Sequence, residues 1–391
     1  MKPIEPRPVG DDRAGRAGRI RLFLCGDVMA GRGVDQILAH PSDPRIYERS
    51  VTSARDYVRL AELASGPIPR SVDSDFVWGE ALREWRRRAP DLRIANLETS
   101  VTLSEDYVPK GINYRMSPAN IGCLLAAGFD CCVLANNHVL DWGAAGLLDT
   151  LDALGRHGVR TAGAGRTREE ATRPAVLETP GRGRLLVVAL GSPGSGIPHD
   201  WAAGPGRPGV NLTDLSMTSA EALSESLAAV RQPGDIVVVS IHWGANWGYD
   251  IPEAQRRFAH ALVDAAGVAV VHGHSSHHPK AIEVYKGKLI LYGCGDFLND
   301  YEGIRGLESF RGDLTLMYFA DLNTSDGSLI ALEMTPLRIH GLRLVRPAPN
   351  DVGWLADQLD QEAQKFDGHV SQVRGRLALS WPGAHAAALS P

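Results

Sequence analysis

Residues able to hold a cation recur in this sequence wherever an apolar run stops. Cys25 leads into Gly26-Asp27, Ile94-Ala95 into Asn96-Leu97-Glu98, and Leu134-Ala135 into Asn136-Asn137-His138. Ile241 leads into His242-Trp243-Gly244, and Val270-Val271 into a stretch bearing His272, His274, His277 and His278. Carboxylate, amide oxygen and imidazole together suit a borderline divalent ion such as Mn²⁺, Fe²⁺ or Zn²⁺. Asp27, Glu98, Asn137, His138, His242 and His274 are therefore expected to build a divalent-metal centre of one or two ions, with Ca²⁺ and Mg²⁺ the harder alternatives. A carboxylate shared between two ions would account for Asp27 and Glu98 both lying at strand ends. Each motif alone has a plainer reading: Asp27 as a helix cap, Asn136-Asn137 as a turn, His242 as a core histidine. Five such endings in one chain favour the metal reading. No cysteine falls in these motifs, which argues against a structural zinc knot.

The elements that must position these residues follow an α/β alternation. Apolar runs at 20–25, 92–95, 130–135, 185–190, 236–241 and 268–271 read as buried strands, and 76–88, 118–127, 144–157, 219–231 and 253–266 as helices. Open α/β sheets bind ligands at the carboxyl ends of their strands, so the five motifs should converge on one crevice. Two segments, 40–75 (with a helix at 54–64) and 191–214, read as loops overhanging the site. After Lys280 shorter runs suggest a mostly antiparallel sheet. Three parts are expected: a flexible arm over 1–18, one α/β domain over 19–345, and a helical tail over 346–391.

Composition narrows the class. A 391-residue chain with 44% hydrophobic and 22% charged residues can build a full core. A net charge of -5 argues against nucleic acid as a partner. The five cysteines are odd in number, lack a C-x-x-C pair and sit in apolar surroundings, as buried thiols of a reduced protein do. No run approaches the roughly 20 apolar residues of a membrane span, and no signal-peptide core precedes Asp27. The expected setting is the cytoplasm, without a membrane partner. Oligomeric state is not legible.

The segments GDVMAGRGVD (26–35), NLETSVT (96–102), LANNHVLDWGAAG (134–146), VSIHWGANW (239–247) and the stretch from Val271 to Ile304 resemble the CapA-type family of poly-γ-glutamate capsule synthesis, related to calcineurin-like metallophosphoesterases. The resemblance implies an α/β sandwich of two central sheets flanked by helices, with a metal centre at the strand ends. It gives Asp27 the place of the first metal carboxylate and Glu98 that of the bridging acid. Asn137 and His138 match the Asn-His pair in which Asn binds metal and His acts as an acid. His242 and His274 match later imidazole ligands, and His277 the final one with a spacing one residue longer. Two departures stand out. A phosphoesterase expects Asp-x-His where this chain has Asp27 and Met29, and no run in the sequence reads as the anchor that capsule-synthesis members commonly carry, so none is expected.

The substrates this resemblance implies are peptides rich in carboxylate. A cation beside a carboxylate acidifies the neighbouring Cα–H, and bases on opposite faces could then invert that centre. His138 and His277, with Asp296, are the candidate acid/base groups. A soluble branch of the family resembles peptide epimerases acting on the C-terminal residue of lasso-peptide precursors, and Tyr47, Tyr57, Trp201, Trp243 and Trp247 could hold a peptide side chain there. The expected activity is thus that of a peptide epimerase, an isomerase. The alternatives are a metallophosphoesterase, a γ-glutamyl amide ligase or hydrolase, and a scaffold without catalysis.

Overall fold

Runs such as IVVVSIH (236–242) bury both faces of a strand, as the interior of a parallel sheet requires. The structure, a computed structural model, describes residues 18–384, so all of the arm expected over 1–18 except Gly18 lies outside the described residues. Six strands carry the site: β1 (Arg19–Val28), β2 (Leu92–Leu97), β3 (Cys131–Val133), β4 (Ile236–His242), β5 (Val270–His274) and β6 (Asp296–Leu298). In the first sheet β1, β2 and β3 run parallel, and β6 pairs with the end of β1. Beyond β1 that sheet continues through antiparallel Leu314–Asn323 and Leu329–Ile339. In the second sheet β4 and β5 are parallel, flanked by Gly183–Gly191 and Lys288–Leu291.

Alternation along β1 explains how the layers stack. Leu22 and Leu24 pack with Val187, Val238 and Val270 of the second sheet. Phe23 and Cys25 belong to the opposite cluster, with Trp78, Trp85 and Phe129. Phe23 meets Trp85 edge-on at 5.3 Å, an arrangement worth about 0.5–1.5 kcal/mol beyond burial. The far face of the second sheet lies under the helices Met217–Ala228 and Glu253–Ala266. The result is helices, sheet, sheet, helices, the architecture the resemblance implies. Within the first overhanging segment Ala54–Ser65 is helical, and the Ser53 hydroxyl accepts from Arg55 N at its start. No helix among the described residues is long and apolar enough to cross a membrane.

Two expectations need correction. The strands after Lys280 do not form a sheet of their own. Ile282–Tyr285 and Lys288–Leu291 make a hairpin, turning through Lys286 and Gly287 at positive φ, and the second strand joins β5 in parallel. Leu314–Asn323 and Leu329–Ile339 extend the first sheet instead. The segment 346–391 is also not simply a helical tail. After the helix Pro349–Ala363, strands His369–Val373 and Arg376–Ser380 form a hairpin through Arg374 and Gly375, and the second of them pairs onto Leu329–Ile339. Leu377, Ala378 and Leu379 are buried in a run and Arg376–Ser380 pairs with the sheet, so the sheet rather than a helix is what this segment completes.

Candidate metal centre

The carboxyl ends of both sheets meet at one place. Against β2, β1 bulges between Cys25 and Asp27, so that Cys25 pairs with Ala95 and Asp27 with Asn96. The extra residue is Gly26, whose Cβ would sit 1.7 Å from the carbonyl oxygen of Gly295. Only glycine permits that approach. The bulge sends Asp27 into the crevice, where Asn96 Nδ2 donates to its Oδ1 at 2.8 Å and Ser275 N to its Oδ2 at 3.2 Å.

From the second sheet, His242 and His274 are register partners on β4 and β5. Their Nδ1 atoms lie 2.9 Å apart, and His274 Nδ1 is 3.7 Å from Asp27 Oδ1. Ser240 Oγ sits 2.9 Å from the other nitrogen of His274, orienting the ring as a second-layer partner orients a metal ligand. Gly273 between the two β5 histidines lets Trp243 Nε1 and the Leu291 carbonyl press against the strand. Asn137 Oδ1 is 3.0 Å from His242 Nε2.

Asp27, His242 and His274 thus bring one donor atom each into a group that could hold an ion. Asp27, His277 and Asp296 form a second such group. Asp296 reaches it because β6 pairs in parallel with β1, setting Asp296 opposite Asp27. His277 Nδ1 is 2.9 Å from Asp296 Oδ1, and Asn299 Nδ2 donates to Asp296 Oδ2 at 2.7 Å. Where Met29 removes the expected histidine, His277 and Asp296 therefore stand on Asp27. Met29 itself is buried beside the Tyr301 hydroxyl. Glu98 lies outside both groups, its Oε1 3.8 Å from His138 Nε2 and 3.9 Å from His242 Nε2.

The electrostatics fit a cation. Asp27, Glu98 and Asp296 are 0%, 2% and 1% exposed. Burial, and then the charge of Asp296, pushes the Asp27 carboxyl up to about 7. Burial and the neighbouring Asp27 push Glu98 well above its usual range. Carboxylates so placed share a proton where a divalent ion would serve better. The imidazoles are neutral ligands in waiting: burial first, then the neighbouring imidazoles, holds His242 and His274 well below their ordinary value.

A pH dependence follows for chelator-treated protein. Burial holds His138, His272 and His278 down at about 4, and it holds His242 and His274 well below their ordinary value. Stability from such a group is present above its unfolded value near 6.5 and is lost as pH falls toward its folded value, because the unfolded chain takes up the proton first. Asp27, Glu98 and His277 are raised and act in the opposite sense. Between pH 7 and 5 the unfolded chain protonates all five of the lowered imidazoles while the folded chain keeps them neutral, and this uptake outweighs the opposing groups. The melting temperature without metal should be lower at pH 5 than at pH 7; an equal or higher value at pH 5 would contradict this balance.

Beside the donors stands an imidazole with its own backing. His138 Nδ1 faces Asp141 Oδ2 at 2.6 Å, which leaves Nε2 turned toward Glu98. Lys110 Nζ lies 3.0 Å from Asp141 Oδ1 and 3.3 Å from His138 Nδ1. Sequence reasoning missed Asp141, although its place three residues after His138 was a usable signal. It also missed Lys110, whose loop gave none, while Asn96, named with its strand-end motif but given no role, donates from Nδ2 to both Asp27 and Glu98, the latter at 3.3 Å. Of the aromatic residues expected to hold a peptide side chain, Tyr57, Trp201 and Trp243 are buried packing residues. Tyr47 stacks on Tyr107 at 3.7 Å, and Trp247 lies 5.2 Å from His277.

Two sheets flanked by helices, with carboxylates and imidazoles gathered at the strand ends, define a metallophosphoesterase-like α/β fold. The chain belongs to the family described as bacterial capsule synthesis protein PGA_cap, which matches residues 21–301. It is 44% identical over 375 residues to a protein of Mycobacterium tuberculosis named "Probable polyglutamine synthesis accessory protein", covering 95% of this chain and 98% of that one. It is 29% identical over 283 residues to the "PGA biosynthesis protein CapA" of Bacillus subtilis, 72% of this chain and 68% of that one. The "Capsule biosynthesis protein CapA" of Bacillus anthracis is 25% identical over 329 residues, 82% of this chain and 68% of that one.

Proposed function

We propose that this chain is a metal-dependent enzyme acting by acid/base chemistry on a carboxylate-bearing peptide. The observation that carries this is a pair of carboxylate-backed imidazoles at one crevice, His138 on Asp141 at 2.6 Å and His277 on Asp296 at 2.9 Å, whose surroundings shift them in opposite directions. Burial keeps His138 neutral, at about 4, despite Asp141. Burial alone would lower His277 too, but the charge and hydrogen bond of Asp296 outweigh it and raise that group. One imidazole can therefore accept a proton while the other gives one.

Asp27, His242 and His274 would hold a single ion, leaving His277 free to carry its proton. Such an ion supplies neutralisation of a substrate carboxylate and acidification of the adjacent Cα–H. His138 Nε2 then removes a proton, with Asp141 fixing its tautomer, and His277 Nδ1–H stays directed at Asp296 until its ring delivers one. Lys110, at the rim and 18% exposed, adds a positive charge for an anionic substrate. Inversion of Cα in a C-terminal residue, as in a peptide epimerase, is the reaction this pair suits.

A second reading, cleavage or formation of glutamyl amides, is favoured by the names of the relatives in polyglutamine and capsule synthesis. The same two imidazoles would then serve water and the leaving amine. Both are tested by incubating metal-loaded protein in D₂O with short peptides ending in a free carboxylate and with γ-linked oligoglutamate. Cα deuterium without cleavage supports inversion, and chain shortening supports amide chemistry. Neither, in protein holding stoichiometric metal, would sink the proposal.

A further inference from the structure

A cavity of about 350 Å³ opens next to the centre. Three of its walls are also walls of the site. Trp247 lies 5.2 Å from the His277 ring, Tyr301 packs edge-on to the same ring at 5.2 Å, and Asn299 holds Asp296. The lining also takes in the apolar Ile304, Leu307 and Ile339, beside the polar Ser65, Glu308 and His340. A group in this cavity is one side chain away from His277.

The arginines and Glu302 that line the cavity are already committed. Arg311 pairs with Asp313 and Asp351, each at 2.8 Å. Arg338 lies 3.1 Å from Asp313 and 3.8 Å from Asp351. The carboxylate of Glu302 accepts from the backbone N–H groups of Gly341 and Leu342 at 2.9 and 2.6 Å. A glutamyl carboxylate entering here would lose water and find both arginines engaged, a costly exchange. An apolar side chain would lose only unfavourable hydration and gain aromatic and aliphatic walls. The volume is at the low end for small-molecule sites, enough for one large side chain rather than a polymer segment.

We infer that this cavity is the specificity pocket of the centre and takes a large apolar side chain, aromatic or branched, from the residue beside the reacting carboxylate. The inference rests on the reading of the centre as peptide-processing, and it separates this substrate class from polyglutamate.

N-blocked dipeptides that differ only in a C-terminal Phe, Leu or Glu provide the probe. Calorimetric binding to the metal-loaded protein reads the pocket, and deuterium uptake or cleavage reads the reaction. The Phe and Leu peptides should bind about tenfold or more tightly than the Glu peptide, the scale on which apolar pockets discriminate. Leu307→Asp should erase that preference, while Leu307→Met, with an unchanged melting temperature, should keep it. Tight binding of the Phe peptide without turnover would leave the pocket standing and remove the proposed reaction. Equal or tighter binding of the Glu peptide, or a preference that survives Leu307→Asp, overturns the pocket.

Discussion

Asp27→Asn should leave a folded protein that no longer retains a divalent ion and has lost activity by about a thousandfold or more. Asp27 is the member common to both donor groups found among the described residues, so its loss breaks both. Loss of an outer-layer partner alone typically costs 10–100-fold in metal affinity, and a direct carboxylate ligand should cost more than that. The fold should survive because the amide keeps the shape and one acceptor for Asn96 Nδ2. It gives up the bond from Ser275 N, but it also removes a carboxyl that burial has raised to about 7. Stability from a raised carboxyl is full below its unfolded value and is lost as pH rises through the folded one, so the wild-type apo protein carries that penalty at pH 8 and the variant does not. Metal analysis after gel filtration, beside a melting curve, checks both halves. Stoichiometric metal in the variant would remove Asp27 from the ligand set.

His138→Ala should do the opposite to the metal: the ion stays and the reaction goes. His138 touches neither donor group of three, and its Nδ1 is engaged with Asp141. The role proposed for it is proton transfer, worth about 10²–10⁴-fold in kcat. Asp141→Asn should fall in the same direction by less, because it leaves the imidazole in place but no longer fixes which nitrogen carries the proton. It also strips Lys110 of its 3.0 Å partner. The pair of variants separates ligand from base: kcat down with metal retained supports the assignment, and loss of metal with His138→Ala would make His138 a ligand.

How much of this was legible beforehand depended on whether the information was local. The strand-end motifs are local, since a buried run must stop where polar residues begin, and Asp27, His242 and His274 were all readable that way. The helix Glu253–Ala266 is bounded in the structure as its periodicity suggests. Sheet partition is not local. Nothing in the hairpin Ile282–Tyr285 and Lys288–Leu291 says that β5 will take it, or that strands near the C-terminus will close the edge beside Leu329–Ile339. The neighbourhood of Met29 was opaque for the same reason. Its missing imidazole reads as a lost ligand until β6, some 270 residues on, is seen to bring Asp296 opposite Asp27. Arg32 is another case: its ion pairs to Asp300 and Glu48, with its guanidinium 3.5 Å over the Tyr57 ring, appear only when the chain is folded.

The contact at Gly26 has a consequence for how this centre can vary. Asp27 N donates to the Gly295 carbonyl at 3.1 Å and Met29 N to the Leu298 carbonyl at 2.8 Å, so main chain lies directly on main chain there. The separation of Asp27 from Asp296 is consequently a backbone dimension, gauged by two peptide groups with no side chain between them. Repacking the aromatic core around Phe23 and Phe297 can loosen or tighten the layers while this gauge stays fixed. Any side chain at position 26 would instead wedge the two acids apart and change which ion the floor of the crevice could accept.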